Sequence, residues 1–520
     1  MSVLILDYGS QYTQLITRRI RDLGFYSFTV SGTRTLPELQ SHKPRAIILS
    51  GGPSSVYETG APQLTKGFWE WTREERIPVL GICYGMQLMV QDHGGKVGGG
   101  KTREYGRQSV EISSGSKFFP ADFPKKFTAW MSHGDSAEKL PDGFKIVAKS
   151  DTGAIAAIEN ADARLYGLQL HPEVTHTESG DLILKHFLVG ISALTPNWKM
   201  ENVIEQQIKA ISAQVGPNDH VICALSGGVD SAVAAVLVHK AIGDRLHCVF
   251  VDHGLMRFEE GNRVMKMFRE TLHLPVDRVN AADIFFGKLA GVTDPEQKRK
   301  IIGREFIEVF NRSATELAKK IGHEPKFLVQ GTLYPDVIES SPGFSHSVTI
   351  KSHHNVGGLP QDLKFKLIEP LRDLFKDEVR ALGKVLGVPE VFLQRHPFPG
   401  PGLALRVMGE VTPERVAIVQ QVDEIFINAI RDAGIYTKIW QAFAVFLPVR
   451  SVGVAGDGRT YDYVVALRAV GSSDGMTADW YPFEHAFLAK VSSEICNKVR
   501  GVNRVTYDIS SKPPATIEWE

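Results

Sequence analysis

Two stretches of the sequence run from a short apolar segment through a glycine-rich turn straight into a helix: VLGICYGMQLM, with Cys83 at the turn, and VICALSGGVDSAVAAVLVHK, with residues 226–231 at the turn. Apolar strands of this kind are buried on both faces, which points to a parallel or mixed sheet covered by helices. Each stretch therefore calls for its own α/β domain. At 520 residues the chain exceeds the roughly 250 to 300 that one hydrophobic core supports. Around the first turn, VLILDYGSQ, AIILSGGPSS and LYGLQLHPE repeat the strand-and-turn rhythm, and LTPNWK reads as a linker. Around the second, RLHCVFVDHG and KFLVQGTLYPDV do the same. From His396 the texture changes to HPFPGPGL, an amphipathic stretch over 415–432, and the strands YDYVVALRAVG and NRVTYDIS. The expected layout is two doubly wound α/β domains, 1–195 and 200–395, followed by a smaller α+β domain over 396–520.

Lys and Arg together number 59, as do Asp and Glu, so no global field favours nucleic acid or an anionic membrane. The apolar runs fall short of the roughly 18 residues that a spanning helix needs, and the opening MSVLILDYGS has no signal-peptide pattern. Cys83, Cys223, Cys248 and Cys496 show neither C-x-x-C spacing nor an accompanying histidine pair, which argues against a disulfide framework or structural zinc. A cytoplasmic protein is expected, without nucleic-acid or membrane partners.

Cys83 lies between Gly81 and Gly85, the cysteine version of a nucleophile elbow, where small neighbours permit a strained turn that presents the side chain at a helix N-terminus. His171 and Glu173 in LQLHPE end another apolar strand. An imidazole there can take the thiol proton and return it to a leaving amine, while the carboxylate fixes its tautomer. The loop Ser50-Gly51-Gly52-Pro53 offers backbone N–H groups to an oxyanion. The strings GICYGMQ, SGGP and LHPE resemble the class I glutamine amidotransferases. The resemblance implies a triad of Cys83, His171 and Glu173, an oxyanion hole at Gly52 and Tyr84, and glutamine contacts from Gln87, His133 and Asp135 in MSHGD.

The turn Ser226-Gly227-Gly228-Val229-Asp230-Ser231 is not a Walker A loop, since no Gly-Lys-Ser/Thr occurs there. Its glycines let the backbone wrap a phosphate, its hydroxyls donate, and the following helix adds positive potential. Asp230 would repel phosphates if bare, so holding Mg²⁺ or capping the helix are its two expected roles. SGGVDS resembles the phosphate loop of the N-type ATP pyrophosphatases, enzymes that form an AMP ester and expel pyrophosphate. That resemblance implies nucleotide contacts from Val251, Gly331, Asp336 and Lys376, and a substrate contact from Arg257. KSHHNVGGLP reads as a loop closing on ATP rather than a metal site, since adjacent histidines share no face of a helix or strand.

HPFPGPGLALR, SVGVAGD and KPPATIEWE are similar to the carboxy-terminal domain of the GMP synthetase family. The likeness extends over essentially the whole chain; at VDHG this family often has Asn in place of His253. It implies a homodimer through that domain and xanthosine monophosphate (XMP) contacts from Asp457, Arg459, Lys512 and Glu518. It also implies ATP-dependent amination of XMP by ammonia from glutamine, with Mg²⁺ as the only cofactor. An asparagine synthetase would require a nucleophilic Cys at position 2, which is Ser. A tRNA-thiolating relative would require further reactive cysteines and a basic RNA surface.

Overall fold

A computed structural model describes residues 2–113, 115–340, 365–456, 458–472 and 477–520. The KSHHNVGGLP loop and Asp457 lie outside the described residues. Two compact units result, one built on the residues up to Val203 and the other on those from Ile204. Among the described residues, no helix is long and apolar enough to cross a membrane.

The first unit is a nine-stranded sheet. Its strands are β1 (Val3–Asp7), β2 (Ser27–Ser31), β3 (Ala46–Leu49), β4 (Val79–Ile82), β5 (Lys96–Ile112), β6 (Lys126–Lys139), β7 (Lys145–Ser150), β8 (Ile155–Asn160) and β9 (Leu165–Leu168). They lie in the order β2-β1-β3-β4-β9-β8-β7-β5-β6. The half from β2 to β9 is parallel and the remainder antiparallel. Alternate residues of β1 face opposite sides: Val3 and Ile5 enter one core, Leu4 and Leu6 the other. Such two-sided burial is why these strands read as unbroken apolar runs. Because β4 and β9 are neighbours, whatever follows each of them meets at one sheet edge.

The second unit contains a parallel sheet of β10 (Val221–Leu225), β11 (Leu246–Asp252), β12 (Val276–Asn280), β13 (Phe327–Val329) and β14 (Lys366–Ile368), ordered β12-β11-β10-β13-β14. The order reverses at β10, so the loops after β10 and β13 flank the switch point where open α/β sheets bind ligands. A second sheet pairs β15 (Gln441–Ala455) with β16 (Gly458–Gly471) as a long hairpin, flanked by β17 (Asp479–Trp480) and β18 (Val502–Tyr507). One apolar cluster joins Ile222 and Val249 of the parallel sheet to Phe426, Ala444 and Leu467. The texture change at His396 thus falls inside a continuous core.

Candidate active sites

Cys83 directly follows β4 with φ +50°, the positive-φ backbone that an elbow demands. A Cβ on Gly81 would lie 2.6 Å from the Gly85 backbone, and one on Gly85 would lie 2.4 Å from the Leu49 carbonyl oxygen. No larger residue fits either place, so the glycines create the turn. The helix Tyr84–Asp92 starts at once, and the N–H of Tyr84, its first residue, has no acceptor within the helix. Gly52 approaches closely enough that a Cβ there would meet Tyr84 Cγ at 3.2 Å. The two expected oxyanion donors therefore belong to touching residues.

His171 follows β9, and its Nδ1 pairs with Glu173 Oε1 at 2.8 Å; both side chains are buried. Burial disfavours charge on His171. The Glu173 carboxylate, together with hydrogen bonds to Cys83 and Glu173, outweighs it and lifts the imidazole well above its ordinary range. The ring edge of Tyr12 packs on His171 at 5.1 Å, and Arg19 Nε donates to the Glu173 carbonyl at 3.1 Å.

The remaining expected residues of this site divide into two groups. Gln87 Nε2 donates to the Asp135 carbonyl at 3.0 Å, and the Asp135 carboxylate accepts from Tyr57 Oη at 2.9 Å and from Ser55 Oγ. His133 instead pairs with Glu104 at 3.1 Å, and Glu104 also accepts from Ser150 at 2.7 Å. His133 thus ties neighbouring strands through Nε2, while its Nδ1 is buried without a hydrogen-bond partner. Gln169 was not anticipated: it is fully buried, donates to Cys83 Sγ at 3.5 Å and accepts from Gln87 at 3.3 Å. Its place two residues before His171, on the same face of an extended segment, was the available signal.

In the second unit, Gly227 takes φ +76°, Ser226 Oγ accepts the Gly228 N–H at 3.2 Å, and the Ser226 and Ser231 hydroxyls lie 3.2 Å apart. Asp230 occupies the second position of the helix Val229–Ile242 and does not cap it. Its Oδ1 is buried without a hydrogen-bond partner. Burial raises its pKa; Lys376 and Arg380 oppose that rise, and Asp336 adds to it. An orphaned carboxylate oxygen at a phosphate loop fits Mg²⁺, which usually takes one or two protein carboxylates and fills its remaining positions from phosphates and water.

Lys376 opens the helix Lys376–Val385, where the dipole disfavours a cation unless an anion is nearby. Gly331, just past β13, packs on the loop, since a Cβ there would touch Asp230 C at 3.4 Å. Asp336 Oδ2 accepts the Leu333 N–H at 2.9 Å. The Val251 side chain is only 2 % exposed and belongs to the core, which leaves its backbone alone to meet a nucleotide. Arg395, also unanticipated, donates to the Gly227 carbonyl at 3.1 Å and pairs with Glu260. Burial, with Arg257 nearby, pushes its pKa down to about 10.

His253 explains its own tolerance. Its Nδ1 accepts the Leu255 N–H at 3.1 Å, the bond that an Asn Oδ1 makes in an Asx turn. Burial pushes its pKa from 6.5 down to about 4, and His396 falls equally far. A depressed folded-state pKa stabilises the fold above pH 6.5 and loses that contribution as pH falls toward 4. Melting curves across this window should drop for the parent protein and flatten in part for His253→Asn, whose amide does not titrate. An unchanged slope would contradict the assignment.

The third group is connected through side chains. Arg257 donates to Asp423 at 2.7 Å and to the Ala442 carbonyl at 3.3 Å. Asp423 lies 4.0 Å from Arg406, and Arg406 holds Glu518 through bonds of 2.9 and 3.2 Å. Gln441 adds a bond of 2.6 Å to Glu518. Glu518, expected from the resemblance to contact XMP, is therefore already engaged, although a carboxylate retains further lone pairs. It borders a cleft of about 580 Å³ lined also by Tyr507, Asp508, Ser510, Thr516 and Trp519.

Lys512 exchanges backbone hydrogen bonds with Ala478, beside β17 and near the Gln441 end of the hairpin. Arg459 lies apart from this group. It pairs with Val454 near the hairpin tip, whereas Gln441 pairs with Val470 at the base, roughly 40 Å away at the rise of a strand. Within one chain it shares no site with Glu518.

Family models match residues 4–191 as class-I glutamine amidotransferase, 199–332 as NAD synthase and 428–519 as the GMP synthase C terminal domain. The chain is similar to the glutamine-hydrolyzing GMP synthases of Chlorobium chlorochromatii (55% identity, 100% of both chains) and Nitrobacter hamburgensis (54%, 100% of this chain and 96% of that one). It is likewise similar to that of Brachyspira hyodysenteriae, at 53% identity over 100% of this chain and 99% of that one.

Proposed function

The chain belongs to the glutamine-hydrolyzing GMP synthase family, and from that premise we propose how its own residues divide the work. The enzyme makes GMP by ATP-dependent amination of XMP with nitrogen from glutamine. Cys83 Sγ attacks the glutamine amide carbon while His171 accepts the thiol proton and then passes it to the departing ammonia. The N–H groups of Gly52 and Tyr84 receive the oxyanion. Water, deprotonated by His171, cleaves the thioester and releases glutamate. The observation that carries this half is the buried His171–Glu173 pair at 2.8 Å, with the imidazole raised well above its ordinary range by Glu173 and by the elbow cysteine.

In the second unit, the C2 oxygen of XMP attacks the α-phosphorus of ATP and pyrophosphate leaves into the loop 226–231, with Lys376 facing its charge. Asp230 would hold Mg²⁺ bound with ATP, which would supply charge neutralisation there. Ammonia then displaces AMP from C2. Arg257, Lys512 and Glu518 form the XMP-facing group, and Gln87 and Asp135 orient glutamine. The working boundaries are 1–195, 200–395 and 396–520. A cytoplasmic homodimer is the assembly this reading favours, supported by the exposed Val449, Val452, Val454 and Tyr461 on the β15–β16 hairpin. Purified protein given glutamine, ATP, Mg²⁺ and XMP should yield GMP, AMP, pyrophosphate and glutamate in equal amounts. ADP and orthophosphate in their place would overturn the pyrophosphatase half.

A further inference from the structure

Lys298 stands where a cation is doubly disfavoured. It occupies the first turn of the helix Pro295–Ile321, at the positive end of the dipole, and its side chain is fully buried. An ammonium has three donors, and three acceptors meet this one: the Ala404 carbonyl at 3.3 Å, the Val407 carbonyl at 2.8 Å, and the Glu520 carboxylate. Ala404 and Val407 bracket Arg406, the guanidinium that holds Glu518. The bonds close a ring: Lys298 to the 404–407 turn, Arg406 to Glu518, and Glu520 back to Lys298.

We propose that Lys298 is a positioning residue for XMP, clamping Glu520 to the turn that carries Arg406 so that Glu518 is fixed beside the purine. This rests on the assignment of Glu518 to XMP. Without the ammonium, the Glu520 carboxylate is left desolvated and unpaired, and it regains water only if the last residues lift away. Glu518 lies two residues earlier and moves with them.

The test uses Lys298→Met, Glu520→Gln and the double variant in the full chain, with ammonium as nitrogen source so that the glutaminase does not enter. Each single change should raise the KM for XMP about tenfold, the loss expected for a hydrogen bond to a charged group. The KM for ATP should stay unchanged, and the double variant should be no worse than Lys298→Met. An unchanged KM for XMP, equal rises for ATP and XMP, or additive effects would each overturn the clamp. Should Lys298→Met fail to fold, the near-isosteric Glu520→Gln carries the test. Glu518→Gln separates the two levels: no rise in its KM for XMP defeats the assignment of Glu518, whereas a rise there without one in Glu520→Gln defeats only the clamp.

Discussion

Cys83→Ala is expected to cut glutamine-driven GMP formation by at least ~10⁴-fold, because nothing else in the site can form the thioester and triad members fail as a unit. Synthesis from ammonium salts at alkaline pH, where free ammonia is abundant, should stay close to the parent rate. The geometry supports this separation. Cys83, His171, Glu173, Gln169 and Gln87 all belong to the first unit, whereas residues 226–231, Lys376 and Asp336 belong to the second. Loss of both activities would refute separable sites. Alanine retains the Cβ that the strained backbone at φ +50° already accommodates, so folding should not confound the result.

Asp230→Asn should lower synthesis from either nitrogen source by at least ~100-fold, the scale of removing a preorganised charge from a reacting phosphoryl group. The same change should not lower the melting temperature. Burial raises the Asp230 pKa, so its ionised form is less comfortable folded than unfolded and costs stability above the ordinary carboxylate range. An amide removes that cost. Lost activity with unimpaired stability is the signature of a residue kept for function. A normal ammonia-dependent rate would remove Asp230 from the metal role.

The elbow at Cys83 and the glycine-rich loop 226–231 were legible in the sequence because their constraints are local. Gly81, Cys83 and Gly85 lie within one turn, His171 and Glu173 are two residues apart, and the loop 226–231 is contiguous. What the sequence hid depends on partners far along the chain. Arg406 is a lone cation in an apolar run until its partner, 112 residues later, is known, and Lys298 meets Glu520 across 222 residues. Both resemble solvated charges in one dimension. His133 was read from its motif as a glutamine contact, and its pairing with Glu104 through Nε2, 29 residues away, was likewise hidden in the sequence. Asp457 and Arg459 were grouped with Glu518 by resemblance; the hairpin register separates Arg459 from it.

Activation of XMP as an AMP ester before ammonia attacks is read directly by isotope tracing. XMP carrying ¹⁸O at C2, supplied with ATP, Mg²⁺ and amide-¹⁵N glutamine, should give ¹⁵N-labelled GMP and AMP with ¹⁸O on its phosphate, since the C2 oxygen leaves attached to the α-phosphorus. Unlabelled AMP, or ¹⁸O recovered in pyrophosphate or orthophosphate, would contradict it.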